Sequence, residues 1–202
     1  MQLIPLFPLD LVLLPGTPLP LHIFEPRYKE MIRSCLGERE HFGVIRASES
    51  GIVRVGCSAE IVDVVRTYPD GRMDILTMGR KRFSVHEVDQ DRAFLRGDVE
   101  WLEDEPESPA GTTLVTEVLA LHLQLLHMLG RDDDTTEDEG PWLSYRLANG
   151  LPIDLDFKQG MLEMRLESER LNSLLVFYRK AIPKLQAHKI GQKKSSTNGW
   201  VN

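Results

Sequence analysis

The densest group of possible ligands in this sequence is acidic. Asp132, Asp133, Asp134, Glu137, Asp138 and Glu139 fall within "GRDDDTTEDEG" (130–140). Carboxylates so close together could hold a hard cation. A calcium loop of the EF-hand type, however, needs alternating ligands, a Gly at its sixth position and a Glu at its twelfth. This run has consecutive acids and no such Gly, so a solvated loop between helices is the better reading. His122 and His127 lie five residues apart, about 140° round a helix axis, and do not share a face as HExxH pairs do. The two cysteines, Cys35 and Cys57, lack CxxC spacing. No tetrahedral set arises by local spacing, and no metal ligand is assigned.

Nucleophilic chemistry fares no better. There is no GxSxG and no local Cys-His signature, and a triad assembled from distant residues leaves no mark in a single sequence. The phosphate loop GxxxxGK[ST] and the dinucleotide fingerprint GxGxxG are both absent. "TMGRKRF" (77–83) sets Arg80, Lys81 and Arg82 side by side. They could meet phosphates, or they could protect a strand edge with charge. No catalytic or cofactor-binding residue is assigned, and no cofactor is expected.

The bulk composition sets the frame for these absences. The chain has 202 residues, 42% of them hydrophobic and 27% charged, which suffices for a real core. The sparse cysteines fit a reducing cytoplasm and speak against a disulfide scaffold. Net charge is −7, unevenly placed: −3 over 1–103, −9 over 104–140 and +5 over 141–202. An acidic total weakens a general phosphate-binding role, which depends on Lys and Arg displacing counterions.

The apolar opening "IPLFPLDLVLLPGTPLPLHIFEPRY" (4–28) is no membrane span and no secretory signal. Pro5, Pro8, Pro15, Pro18 and Pro20 interrupt it, and each Pro inside a helix costs about 3 kcal/mol. Short buried extended pieces are predicted instead. "EPRYKEMIRSCLG" reads as a helix with Pro26 in its first turn, a stop at Gly37, and Tyr28, Met31, Ile32 and Leu36 on one face. Strand-like runs follow at 42–47, 51–68 (broken near Gly56), 72–78, 81–88 and 93–102, the second and third separated by the turn signal "YPDGR". Such strands with short turns suggest a barrel. Residues 104–111 read as a linker between a β-rich unit over 1–103 and a helical unit over 112–185. In the latter, Leu114, Val118, Leu121, Leu125 and Met128 form one helical stripe, and Leu171, Leu174, Leu175, Tyr178 and Ile182 another. Two short helices lie between them, in "PWLSYRLANG" and "DFKQGMLEM". Residues 186–202 read as a disordered tail.

Four stretches carry a family resemblance: "IPLFPLDLVLLPGTPLPLHIFEPRYKEMI", "VGCSAEIVDV" (55–64), "DGRMDILTMGRKRFSV" (70–85) and "LPIDLDFKQGMLEMRLESERL" (151–171). In this order they resemble the Lon N-terminal domain, the substrate-recognition domain of ATP-dependent Lon proteases, and most closely stand-alone bacterial forms of it. The resemblance implies an α+β fold: a PUA-like β pseudobarrel with one early helix, followed by a helical bundle. It also implies that Phe7, Leu9, Val12, Leu14, Leu21 and Phe24 pack in the core or between the units, and that Pro15 and Gly16 turn the chain. Glu25 and Arg27, beside Tyr28, would be either a structural ion pair or the polar lip of a peptide groove. The ATPase phosphate loop and the Ser-Lys dyad of complete Lon proteases are missing from this sequence.

The function expected is therefore non-catalytic recognition of unfolded or particular polypeptides in the cytoplasm, with neither membrane nor nucleic acid as the main partner. RNA binding by a PUA-like barrel, through Arg80–Arg82 and the basic helix with Arg179, Lys180 and Lys184, is the alternative. A small-molecule pocket is a third reading.

Overall fold

In a computed structural model, residues 2–48, 51–107, 111–131 and 142–197 are described, apart from the side chains of Ser48 and of 190–197. The acidic run 132–139 lies outside them. The chain forms β1 (Gln2–Leu9), β2 (Pro18–Ile23), α1 (Pro26–Glu38), β3 (Phe42–Ser48), β4 (Gly51–Ile52), β5 (Val55–Thr67), β6 (Met73–Asp89) and β7 (Arg96–Leu102). The helices α2 (Thr112–Met128), α3 (Leu143–Asn149), α4 (Leu155–Glu163) and α5 (Glu167–Thr197) follow.

The strands close as β1-β7-β6-β5-β3 and back to β1, the last contact being the parallel β1–β3 pair. β6 is long enough to serve two neighbours. Its second half pairs with β7, and its first half, Met73–Met78, pairs with β2. Beyond the closed barrel, the outer parts of β5 and β6 and all of β2 thus form a three-stranded antiparallel wing. One apolar cluster joins barrel and bundle, running from Phe7, Tyr28 and Phe42 through Val118 and Leu125 to Leu174 and Tyr178.

Several expectations need correction. Residues 72–88 are one strand rather than two, because Gly79 marks a close approach of another chain segment and not a turn. The break in 51–68 falls at 53–54, ahead of Gly56. In α1 the buried face is completed by Cys35, one turn beyond Met31 and Ile32, whereas Leu36 points outward; the helix runs past Gly37 and stops where Arg39 turns left-handed. Of the tail expected over 186–202 to be disordered, 186–197 continue α5 and 198–202 lie outside the described residues. The helix carries Pro183 on its exposed side, and Lys189 donates to the Met128 carbonyl at the end of α2. Of the opening apolar set, Phe7 and Leu14 are buried and Leu9, Val12 and Leu21 partly so, but Phe24 is 59% exposed. Its ring stacks on His22 at the corner into α1 instead of packing inward.

The helical stripe on α5 is buried as its spacing requires. On α2 the inward face includes His122, whose Nδ1 lies 2.8 Å from the Tyr178 hydroxyl. Burial, with a smaller push from Arg131, lowers the His122 pKa to about 4. The unfolded chain, titrating near 6.5, then takes up the proton first, so stability present above pH 6.5 is lost as pH falls toward 4. Between pH 7 and pH 5 this amounts to about 2 kcal/mol. Urea titrations at the two pH values should show it in the native protein. The loss should shrink in His122→Gln.

Candidate functional site

The proline-punctuated opening builds one wall of a cleft. Leu14 to Thr17 make a tight turn with Pro15 second and Gly16 third; Gly16 has φ +72, and Thr17 closes the turn by donating to the Leu14 carbonyl. Pro at the second and a positive-φ Gly at the third position is the type II pattern. Trp142, just ahead of α3, lies over Gly16: a Cβ there would come 3.3 Å from the indole. Trp142 itself is left-handed at φ 67, a conformation costly for a bulky residue and held here by its packing. Facing it across a cavity of about 220 Å³ are Trp101 and Leu102 from the end of β7 and the run Arg80–Arg82 of β6, with Glu103 and Asp104 at the rim. Trp101 is fixed edge-on to Phe83 and donates from Nε1 to Gln2. Lys81 and Trp101 also border a neighbouring hollow of about 330 Å³, reaching Arg39 and His41. The two hollows meet at Lys81 and Trp101, which border both.

The three consecutive cations have different roles. Arg82 is buried, donating to the Leu162 and Met164 carbonyls of α4 and its exit and to Asp104. Arg80 pairs with Glu60 across the sheet at 2.5 Å. Lys81 is the exposed one, and it is in no ion pair among the described residues. Behind the cleft, Asp104 is shared with Arg170 of α5, which also holds Glu167 and Ser144. Asp104 thereby ties β6, α4 and α5 into one wall.

The residues singled out in the sequence divide differently. Tyr28 is core: its ring lies 4.1 Å from that of Phe7, and burial raises its pKa. Glu25 and Arg27 form an exposed ion pair at 2.9 Å, with the guanidinium 4.6 Å above the Tyr28 ring. They sit at the β2–α1 corner and do not line the cleft. Of the two tryptophans that do line it, Trp101 belongs to the strand run over 93–102, where nothing marks it as a site residue, and Trp142 falls on no periodic apolar face. The only signal was Pro-Trp at the start of "PWLSYRLANG". Both cysteines are buried, which pushes their thiols up to about 12 and leaves them poor nucleophiles. No group of three or more metal-ligating side chains converges among the described residues. No helix there is long and apolar enough to cross a membrane.

Fold and cleft together define an α+β domain with a cleft at the junction of barrel and bundle. Residues 3–180 match the family model described as ATP-dependent protease La (LON) substrate-binding domain, and the chain belongs to that family. It is similar to the Lon protease of Cytophaga hutchinsonii, at 26% identity over 92% of this chain, and to that of Parabacteroides distasonis, at 32% over 50%. It covers only 25% and 13% of those proteins, so it spans a quarter or less of their length. Among solved structures, it resembles a Lon N-terminal domain protein from Xanthomonas campestris, with TM-score 0.71 and 28% identity over 87% of this chain and 98% of that one. The N-terminal domain of the Mycobacterium avium complex Lon protease shares the fold, with TM-score 0.67 and 19% identity over 89% of this chain and all of the other.

Proposed function

We propose that this chain is a non-catalytic polypeptide-recognition module. It takes an apolar or aromatic side chain of an extended segment into the cleft between its barrel (1–103) and its bundle (112–185). The observation that carries this reading is the pair of indoles, Trp101 from β7 and Trp142 from the start of α3, held on facing walls of one small cavity. About 220 Å³ is below the roughly 300–1,000 Å³ of pockets that enclose whole drug-sized ligands. It suits one anchoring side chain, and the adjoining hollow past Lys81 gives the rest of the chain a path. The family's description as substrate-binding supports the same partner class. The RNA reading loses ground because Arg80 and Arg82 are committed to Glu60 and Asp104 and Arg179 to Glu117, leaving Lys81 on the barrel and Lys180 and Lys184 on α5 to meet phosphates.

Fluorescence anisotropy with a labelled, permanently unfolded polypeptide and with a single-stranded RNA, each at low and high salt, tests this. Polypeptide binding should saturate and persist at high salt. Trp142→Ala should weaken it about 10- to 30-fold, as removal of a central aromatic anchor does. Native-like affinity in that variant would move the site elsewhere, and RNA binding that collapses with salt would replace the reading.

A further inference from the structure

The wing has two outer edges, and they are treated differently. On β2 the edge carries Pro18 and Pro20, which blunt it against pairing. On β5, pairing with β3 ends at Ala59, and from Glu60 to Thr67 the outer edge has no strand partner among the described residues. This free stretch is unusually apolar: Val62, Val64 and Val65 are all exposed, Val65 by 65%.

Its charges are arranged in a specific order. Against β6, Asp63 lies opposite Leu76, Val64 opposite Ile75 and Arg66 opposite Asp74, with irregularities that leave Val62 and Val65 as extra residues. In a regular strand, residues three apart point to opposite faces. The extra residue at Val65 instead puts Asp63 and Arg66 on the same face, one ladder step either side of Val64. Neither is in an ion pair among the described residues; Arg66 stacks on Tyr68, 4.6 Å from the ring centroid. With the His22 and Tyr68 hydrogen bonds, its charge helps hold the carboxyl of Asp74, opposite it on β6, below the usual range. Lysines of one sign along an edge prevent self-association. Here one acid and one base flank a central valine symmetrically, and that pattern is its own complement.

We infer that this edge is a homodimer interface. Two β5 strands pair antiparallel about a two-fold axis at Val64, joining the wings into one six-stranded sheet. A two-fold axis makes every contact occur twice. Each Asp63 then faces Arg66 of the second copy, Val64 meets its own equivalent, and the exposed valines are covered. A strand of eight residues gives a small interface, so the dissociation constant falls in the micromolar range. The Trp101–Trp142 cleft meets this edge only at its start, where Arg80 of the cleft lining pairs with Glu60, and a dimer would offer a polypeptide two such clefts.

Sedimentation equilibrium of the full chain, from about 1 to about 500 µM, reads the association directly. The native protein should dimerise. Asp63→Lys, which sets like charges opposite one another at both ends of the pairing, should raise the dissociation constant at least about tenfold; Arg66→Glu should do the same. The double exchange Asp63→Lys/Arg66→Glu should restore it to within about threefold. A native protein that stays monomeric throughout overturns the inference, as does a dimer indifferent to both single exchanges. Should an exchanged variant misfold, hydrogen exchange of the native protein decides: the amides of 62–67 must slow as concentration rises, and unchanged rates refute the pairing.

Discussion

Arg170→Met should cost about 3–5 kcal/mol of stability, a large share of what a domain has. The guanidinium is fully buried, yet each of its five N–H groups has an acceptor. Nε donates to Ser144 at 3.1 Å and to Glu167 at 3.0 Å. Nη1 reaches Asp104 and the Met164 carbonyl, both at 3.0 Å, and Nη2 reaches Asp104 at 2.5 Å and Glu167 at 2.7 Å. The Tyr145 ring lies against its flat face, 4.5 Å from centroid to Cζ. Burial works against the charge, but Asp104, Tyr145 and Glu167 outweigh it and hold the group protonated more firmly than a free arginine. Removing the cation takes from two half-buried carboxylates their shared partner, leaving Asp104 with Arg82 and Glu167 with Ser144 alone. Arg170→Lys should recover little, since a single ammonium cannot reach both carboxylates and a carbonyl. Urea unfolding measures the loss. A double-mutant cycle with Asp104→Ala should be clearly non-additive, because the two side chains are in direct contact through two hydrogen bonds. A loss under 1 kcal/mol would show that the network is dispensable.

This network also involves the region expected to be a linker, of which residues 104–107 are tied to the start of α5. Asp104 is its centre. Glu105 N–H donates to the Arg165 carbonyl, and Glu107 accepts from both N–H and Oγ of Ser168 at the start of α5. Those bonds hold the Glu107 carboxyl below the usual range. "EDEPESPAG" looked like a linker because it is acidic and rich in proline. Two of its acids instead pair with distant arginines, Asp104 with Arg170 and Glu105 with Arg165, and a third, Glu107, with Ser168.

How much was legible follows from the same contrast. Patterns that repeat along the chain could be read: the α5 stripe, most of α1, the strand runs, and the turns at Pro15-Gly16 and Pro69-Asp70-Gly71. Features that depend on one residue meeting a distant one could not. Arg82 and Arg80 look alike in "GRKRF", and only the fold buries the first and pairs the second with Glu60. Phe24 looks like core by type but falls at a corner where His22, and not the barrel interior, is its neighbour. Trp101 was visible as part of an alternating strand, but nothing local placed Trp142 opposite it, since 40 intervening residues had to fold first. The acid and base on β5 were visible too. Their shared face depends on an extra residue in the ladder, which a period-two reading misses.

Gly79 extends the point to a single methyl group. The turn at Leu14–Thr17 docks on it edge to edge: Gly16 N–H donates to the Gly79 carbonyl, and Gly79 N–H to the Thr17 carbonyl, both at 2.9 Å. A Cβ on Gly79 would overlap the Leu14 carbonyl oxygen and stand 3.1 Å from its carbon, and backbone atoms have nowhere to go. Gly79→Ala should therefore cost about 4 kcal/mol, from overpacking plus two weakened hydrogen bonds. It should also weaken polypeptide binding, because the displaced turn carries Pro15 and Gly16, the cleft wall beneath Trp142. The control lies in α4, where Gly160 has nothing within 4 Å of the position a Cβ would take. There the same substitution should stabilise by about 0.5–1 kcal/mol through helix propensity alone. Thermal or urea unfolding of the two variants should give opposite signs. Equal and small effects would mean that the turn is not seated on β6, and that the cleft lacks the wall assigned to it.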